Sequence, residues 1–148
     1  MKAQQPAQTT GIADFDGAPG ASAAWVTDLQ ERLGWQDRGK AYQALIAMLH
    51  ALRDHLPADE VVYLGAELPI LLRGLYYGGW HPRQRPLSLD DRQTFLSQLH
   101  EALHRDVGVD PEQVARAVLA MLSQRISAPE LEDVKAACPQ PLHGLWPG

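Results

Sequence analysis

The sequence carries one helical pattern twice, about 70 residues apart, and this internal repeat constrains the fold more than any other feature. An apolar stripe that begins at Trp25 is in phase with one that begins at Phe95, because leucines follow both at four-residue spacing. An aspartate able to cap the next helix follows each stripe, Asp37 in the first copy and Asp110 in the second. Both copies end in a proline that Gly-Leu and an aromatic residue follow. Chance phasing of two amphipathic helices explains leucine opposite leucine, but it does not explain the shared caps and endings.

Two copies of a unit that cannot close its own core are expected to pack face to face. We therefore predict an all-α fold of two tandem diverged helical repeats, about four helices each, packed as a pseudo-twofold bundle. The same alignment places Glu60 opposite Glu130. The predicted organisation is a disordered or flexible N-terminal tail over residues 1–22, a first repeat over 23–79, a connector over 80–88 and a second repeat over 89–146.

Composition and capping residues set the predicted helix limits. Residues 1–22 contain few large apolar side chains, so they cannot bury enough surface to offset the entropy of ordering. Helical periodicity begins at Ala23, with Ser22 available as its N-cap. The longest apolar stripe then runs from Ala41 to Leu56 at i, i+3, i+4 spacing. In the second half, Ser88 and an acid three residues later predict a helix over residues 89–105.

Two segments give the chain a resemblance to a known family. They are AYQALIAMLHALRDHLPADEVVYLGAELPILLRGLYYGGW, and ISAPELEDVKAACPQPLHGLW at the end of the second copy. The chain resembles the bacterial family called domain of unknown function 2267 over about residues 25–146, and residues 68–80 are the most specific part. The resemblance implies a duplicated all-helical fold in a bacterial protein and assigns no activity.

Charge and hydropathy exclude several classes of protein. The formal net charge of -5 and the pI near 5.6 argue against general binding to nucleic acid, which needs a dominant basic face. No apolar stretch approaches the roughly 18 residues that cross a bilayer, and the N-terminus lacks the apolar run of a secretory signal. A single cysteine, Cys138, cannot form an internal disulfide. We therefore expect a cytoplasmic protein without membrane contact.

One segment, HEALH at residues 100–104, matches the H-E-x-x-H signature of zinc metallopeptidases. On a helix, His100 and His104 would lie on one face and grip one Zn²⁺, while Glu101 would activate its bound water. In the first repeat the corresponding residues are Gln30, Glu31 and Gly34. The position beside a leucine stripe favours two ordinary solvated histidines, with zinc binding or a zinc hydrolase as the alternative.

The zinc interpretation also needs a third protein ligand. In the subclass that adds a glycine and a further ligand to the motif, Val107 stands at the glycine position and Asp110 at the ligand position. Asp110 already serves as a helix cap. Glu130 or Glu132 is the other candidate, and nothing singles out either of them, so we predict no cofactor and retain zinc as the alternative.

A basic, aromatic-rich stretch lies between Leu68 and Asp90, where no acidic residue occurs. Guanidinium groups pair with phosphate or carboxylate, and aromatic rings offer stacking faces or interface anchors. The candidate binding residues, joined by His81, are Arg73, Tyr76, Tyr77, Trp80, Arg83 and Arg85. The alternative is a hinge in which the aromatics fill the gap between the repeats and the arginines pair with acids elsewhere.

These observations favour a non-enzymatic module that binds a protein partner or itself through the basic stretch, with the N-terminal tail as a further candidate contact. Two alternatives remain open. One is a metal-binding protein or zinc-dependent hydrolase that uses His100 and His104. The other is an anion or phosphate-binding module at the arginines and aromatics of the connector.

Overall fold

Residues 9–148 fold into helices joined by short turns and one longer connector. The computed structural model describes these residues, among which there are seven α-helices, one 3-10 helix and no strand. The elements, in chain order, are α1 (Ala13–Leu33), α2 (Arg38–Asp54), α3 (Ala58–Ala66), α4 (Ile70–Tyr77), α5 (Arg92–Ala102), α6 (Pro111–Arg125), α7 (Ala128–Ala137) and the 3-10 helix (Gln140–Leu145). The predicted all-α class is confirmed.

The core is built around α2 and α6, which pack against each other. α1 contacts both of these helices, and α5 also contacts both. α3 packs against α7, α4 lies against α1, α2 and α3, and the 3-10 helix lies against α6. The stripe predicted from Ala41 to Leu56 is buried throughout, as its spacing requires.

The two predicted aspartate caps are confirmed. Asp37 accepts a hydrogen bond from the backbone N–H of Lys40 at 3.0 Å, and Asp110 accepts one from the N–H of Glu112 at 3.0 Å. Each bond satisfies a backbone donor that has no partner inside the helix. The second helix of each half therefore begins where the sequence predicted.

The predicted start of the first helix at Ala23 is wrong, because α1 begins at Ala13. Ser22 lies inside α1 rather than at its N-cap. Its hydroxyl accepts a hydrogen bond from the backbone N–H of Leu72 at 3.1 Å, which ties α1 to α4. Of the predicted flexible tail, residues 1–8 lie outside the described residues and residues 13–22 are helical.

The early start of α1 has a local cause that the composition obscured. The side chain of Asp16 accepts hydrogen bonds from the backbone N–H and the hydroxyl of Thr10, at 2.8 and 3.0 Å. Asp14 also lies in the first turn, where negative charge is favourable because the N-terminus of a helix carries partial positive charge. Together these groups oppose the low helix propensity of Gly17 and Pro19.

The helix predicted over residues 89–105 is shorter at both ends, running over Arg92–Ala102. Asp91 is its N-cap in place of Ser88, because the Asp91 carboxylate accepts hydrogen bonds from the backbone N–H and hydroxyl of Thr94, at 2.7 and 3.0 Å. At the other end, His104 and Arg105 have φ values of 61° and 53°, which lie in the left-handed region. A chain in that conformation cannot continue the helix.

No helix within residues 9–148 combines the length and the apolar character that crossing a membrane requires.

Candidate interaction surface

Helix α4 has one buried face and one exposed face, and both are apolar. Leu72 and Tyr76 point into the core. On the other side, Ile70, Leu71 and Leu75 are 64%, 47% and 42% exposed. Gly74 lies among them, and a Cβ added there would meet no atom within 4 Å. We call Ile70, Leu71, Gly74 and Leu75 the α4 face.

Tyr76 fixes α4 against the core. Its hydroxyl donates a hydrogen bond to the carbonyl oxygen of Val61 at 2.8 Å, and burial raises its pKa above the ordinary range. The buried guanidinium of Arg53 donates to the carbonyl oxygens of Tyr76 and Gly78, at 2.7 and 2.8 Å. Tyr76 was a candidate binding residue, but it is fully buried and belongs to the core. The buried side of α4 is therefore anchored to the core by hydrogen bonds, and the α4 face lies on the opposite side of this anchored helix.

The remaining two aromatic candidates are half-buried and pack against each other. The ring centroid of Tyr77 lies 5.0 Å from that of Tyr76 and 5.7 Å from that of Trp80. Tyr77 also covers Gly65, where an added Cβ would come within 2.5 Å of the Tyr77 hydroxyl oxygen. These rings fill the space beneath the connector and leave only part of their surface for a partner.

The three arginine candidates have different surroundings. Arg73 is half-buried and donates to the carbonyl oxygens of Ala66 and Leu68, at 3.2 and 3.0 Å, so it caps the end of α3. Arg83 and Arg85 are exposed, and neither forms an ion pair with any residue that the structure describes. The connector, which follows α4 in the chain, therefore carries two arginines that form no ion pair within the described residues.

A groove that the sequence did not reveal runs between α2 and α5. Its volume is about 470 Å³, and Tyr42, Ile46 and Leu87 supply much of its apolar wall. His50 also lines the groove, and its Nε2 donates to the carbonyl oxygen of Leu75 at 2.8 Å, so the groove adjoins the end of α4. Its walls come from both halves of the chain. The sequence pattern of a single helix therefore could not predict the groove.

The histidines of the HEALH segment do not share a helix face. α5 ends at Ala102, so His104 lies beyond the helix and the four-residue spacing no longer aligns the two rings. His100 Nε2 instead donates to the carbonyl oxygen of Asp106 at 2.8 Å. Within residues 9–148, no group of three or more His, Cys, Asp or Glu side chains is placed to hold a metal ion. Among the described residues, the zinc interpretation therefore lacks both a pair of histidines on one helix face and a third ligand.

Two buried carboxyl groups face each other between α3 and α7. Glu60 and Glu130 are only 7% and 8% exposed, and the Oε1 atom of each has no hydrogen-bond partner within the described chain. Burial, the adjacent Glu130, and the charges of Asp133 and Asp59 raise the pKa of Glu60 to about 8. At neutral pH the Glu60 carboxyl is therefore protonated. The repeat alignment had placed these residues at equivalent positions without indicating that they meet.

The sequence matches a known protein family over most of its length. The family model described as "Uncharacterized conserved protein (DUF2267)" matches residues 22–145, which is most of the chain. No curated protein matches the sequence.

Proposed function

The chain belongs to the DUF2267 family, and from that premise we propose that it is a non-enzymatic protein-interaction module whose docking site is the α4 face. The observation that carries this proposal is the exposure of three large apolar side chains on one short, firmly anchored helix. Contiguous exposed apolar surface of this kind marks interaction sites, because its burial against a partner releases ordered water.

The electrostatic surroundings support a protein partner with acidic residues. Arg83 and Arg85 lie in the connector that follows α4, and they lack ion-pair partners within residues 9–148. Arginine is enriched at protein interfaces because its planar group binds carboxylates through two hydrogen bonds while its stem packs on apolar surface. An acidic rim around an apolar centre would complement this surface.

We also propose that the fold consists of two related halves about a pseudo-twofold axis. The contacts of α1 with α6 and of α5 with α2 would be equivalent in that arrangement, and α2–α6 and α3–α7 would be contacts across the axis. The halves differ at Ile70 and Leu71 of the α4 face, whereas Gly74 and Leu75 have identical counterparts in Gly144 and Leu145. At an offset of 70 residues, Gln140 and Pro141 of the 3-10 helix stand in place of Ile70 and Leu71. A surface that one half carries and the other lacks is consistent with a specialised role.

The proposed location is the bacterial cytoplasm. The lone cysteine supports it, because Cys138 is a buried thiol to which the indole N–H of Trp146 donates at 3.3 Å, and such a residue suits a reducing compartment.

Site-specific photocross-linking in the source cell tests the docking site. A photoreactive phenylalanine analogue placed at Leu71 should give a cross-linked product of discrete mass, and Arg83→Glu combined with Arg85→Glu should reduce its yield. The matched control carries the same analogue at Val107, a fully exposed apolar position in the second half. Equal labelling from both positions, or no product from residue 71, would overturn the proposal.

A further inference from the structure

The first turns of α1 form an exposed apolar and acidic segment. We call residues 12–21 the N-terminal overhang, because the first buried side chain of α1 is Trp25. Ile12 and Phe15 are 48% and 62% exposed, although they are the largest apolar residues of the segment. They lie three residues apart at the start of α1, with Ile12 as the N-cap and Phe15 in the first turn.

The N-terminal overhang has low helix propensity, and the local groups that favour the helix, Asp14 and Asp16, lie only in its first turn. It contains Gly17, Pro19 and Gly20. A glycine costs about 1 kcal/mol and an interior proline about 3 kcal/mol relative to alanine in a helix. Short isolated helices are marginal in water even with favourable residues, and most helical stability in proteins comes from packing an apolar face. A helix with this composition and an exposed phenylalanine calls for a surface to pack against.

The α4 face matches the N-terminal overhang in length, apolar character and charge. Nine residues of α1 and the eight residues of α4 each span about 12 to 14 Å. No lysine or arginine occurs between Lys2 and Arg32, whereas no acid occurs between Leu68 and Asp90. Asp14 would therefore meet the positive connector when the apolar side chains meet each other.

The two surfaces lie side by side in one molecule. The Ser22 hydroxyl, one residue beyond the N-terminal overhang, accepts the hydrogen bond of the Leu72 N–H in α4. A twofold contact needs a self-complementary patch, in which a feature and its receptor are neighbours on the same subunit. We propose, on the basis of the proposed function, that the partner is a second copy of this chain, and that each copy lays its N-terminal overhang on the α4 face of the other.

The size of the contact sets its expected strength. One short helix on another buries much less than the roughly 1,200 Å² of the smallest stable interfaces, and the reciprocal exchange doubles the area. The dimer is therefore reversible, with a dissociation constant in about the micromolar range.

Sedimentation velocity of the purified full chain over about 1 to 100 µM tests the exchange. We expect a concentration-dependent dimer. Phe15→Glu and Leu71→Glu should each raise the dissociation constant at least about tenfold, because each buries a charge in both copies of the contact. Val107→Glu adds the same charge at a remote exposed site and should leave the constant unchanged. Circular dichroism of each variant verifies that the fold is intact.

A mixture of the two variants separates reciprocal exchange from other dimers. A mixed dimer of Phe15→Glu with Leu71→Glu keeps one unmodified overhang on one unmodified α4 face, so association should be partly restored. If Phe15→Glu dimerises like the unmodified chain while Leu71→Glu does not, the α4 faces pair with each other and the exchange is wrong, although the proposed function stands. An unmodified chain that stays monomeric at about 100 µM also refutes the exchange, and a cross-link from residue 71 to a different protein would still support the proposed function.

Discussion

Because Glu60 is buried beside Glu130, we expect the fold to lose stability as the pH becomes alkaline. An unfolded glutamate titrates near its ordinary pKa of 4.5, whereas the pKa of Glu60 in the folded chain is raised to about 8. Between these values the folded chain holds a proton that the unfolded chain has released. The free energy of unfolding therefore falls as the pH rises through this window, and it levels off above the folded pKa.

The size of the effect follows from the shift. Each pKa unit corresponds to about 1.4 kcal/mol, so raising the pH from about 6 to about 9 should lower the free energy of unfolding by about 3 kcal/mol. The groups that face Glu60 are Glu130 and Asp133 of α7, Asp59 of its own helix and Tyr76 of α4. The first three are acids, so none of these groups compensates the negative charge that appears when Glu60 loses its proton.

Urea unfolding followed by circular dichroism at several pH values measures this slope. Glu60→Gln keeps the shape of the side chain and supplies an N–H donor to Glu130, so it should remove most of the decrease and make the variant the more stable protein at about pH 9. Glu132→Gln, on an exposed position of α7, is the matched control and should keep the slope of the unmodified chain. A flat profile of the unmodified chain between about pH 6 and about pH 9, or an unchanged slope in Glu60→Gln, would refute the reasoning.

Three further substitutions test the anchoring of α4 and the HEALH segment. Arg53→Ala leaves the carbonyl oxygens of Tyr76 and Gly78 without their buried donor, and urea unfolding should show a loss of about 3 kcal/mol. Gly65→Ala drives a methyl group into the Tyr77 ring and should cost about 1 to 3 kcal/mol, measured as a lower melting temperature. His104→Gly relieves a left-handed conformation and should be neutral or stabilising by up to about 1 kcal/mol. Elemental analysis of the unmodified protein, purified without a chelating column, should find no stoichiometric zinc; zinc that is lost in His104→Gly would revive the metal interpretation.

The parts of the fold that the sequence predicted are those with a strong local signal. The apolar stripe from Ala41 to Leu56 and the caps Asp37 and Asp110 combine periodicity with a specific backbone hydrogen bond, and each lies where expected. The start of α1 was missed because glycine and proline oppose helix formation, whereas the hydrogen bonds from Thr10 to Asp16 and the packing of the later turns favour it. Local helix propensity is a weak guide where tertiary contacts stabilise the helix.

The candidate site was predicted only as a region of the chain. The absence of acids between Leu68 and Asp90 marked the region in which Arg83 and Arg85 are exposed, but it gave no way to tell which aromatic ring would be buried. Tyr76 can be buried because its hydroxyl donates a hydrogen bond to the carbonyl oxygen of Val61, which lies fifteen residues away in the chain. The exposed side chains of the α4 face were not singled out, since a short helix that is apolar on both sides shows no periodic contrast.

In the proposed duplication, the buried acid pair lies near the pseudo-twofold axis and the α4 face lies away from it. At a twofold axis each residue meets its own equivalent, so an acid placed there meets another acid. Glu60 and Glu130 are equivalent in the repeat alignment and they are in contact, as residues near such an axis would be. Ile70 and Leu71 lie on an outer surface, where no symmetry-related residue has to match them.

Stability and association should therefore be separable by substitution. Replacing Ile70 and Leu71 together by glutamine, the residue that the second half carries at the first of these positions, should abolish association and leave the free energy of unfolding within about 0.5 kcal/mol of the unmodified value, since both side chains are exposed. Glu60→Gln should alter the pH dependence of unfolding and leave the dimer constant near neutral pH unchanged. If the exposed pair of substitutions destabilised the monomer by several kcal/mol, the α4 face would be part of the core rather than a docking surface.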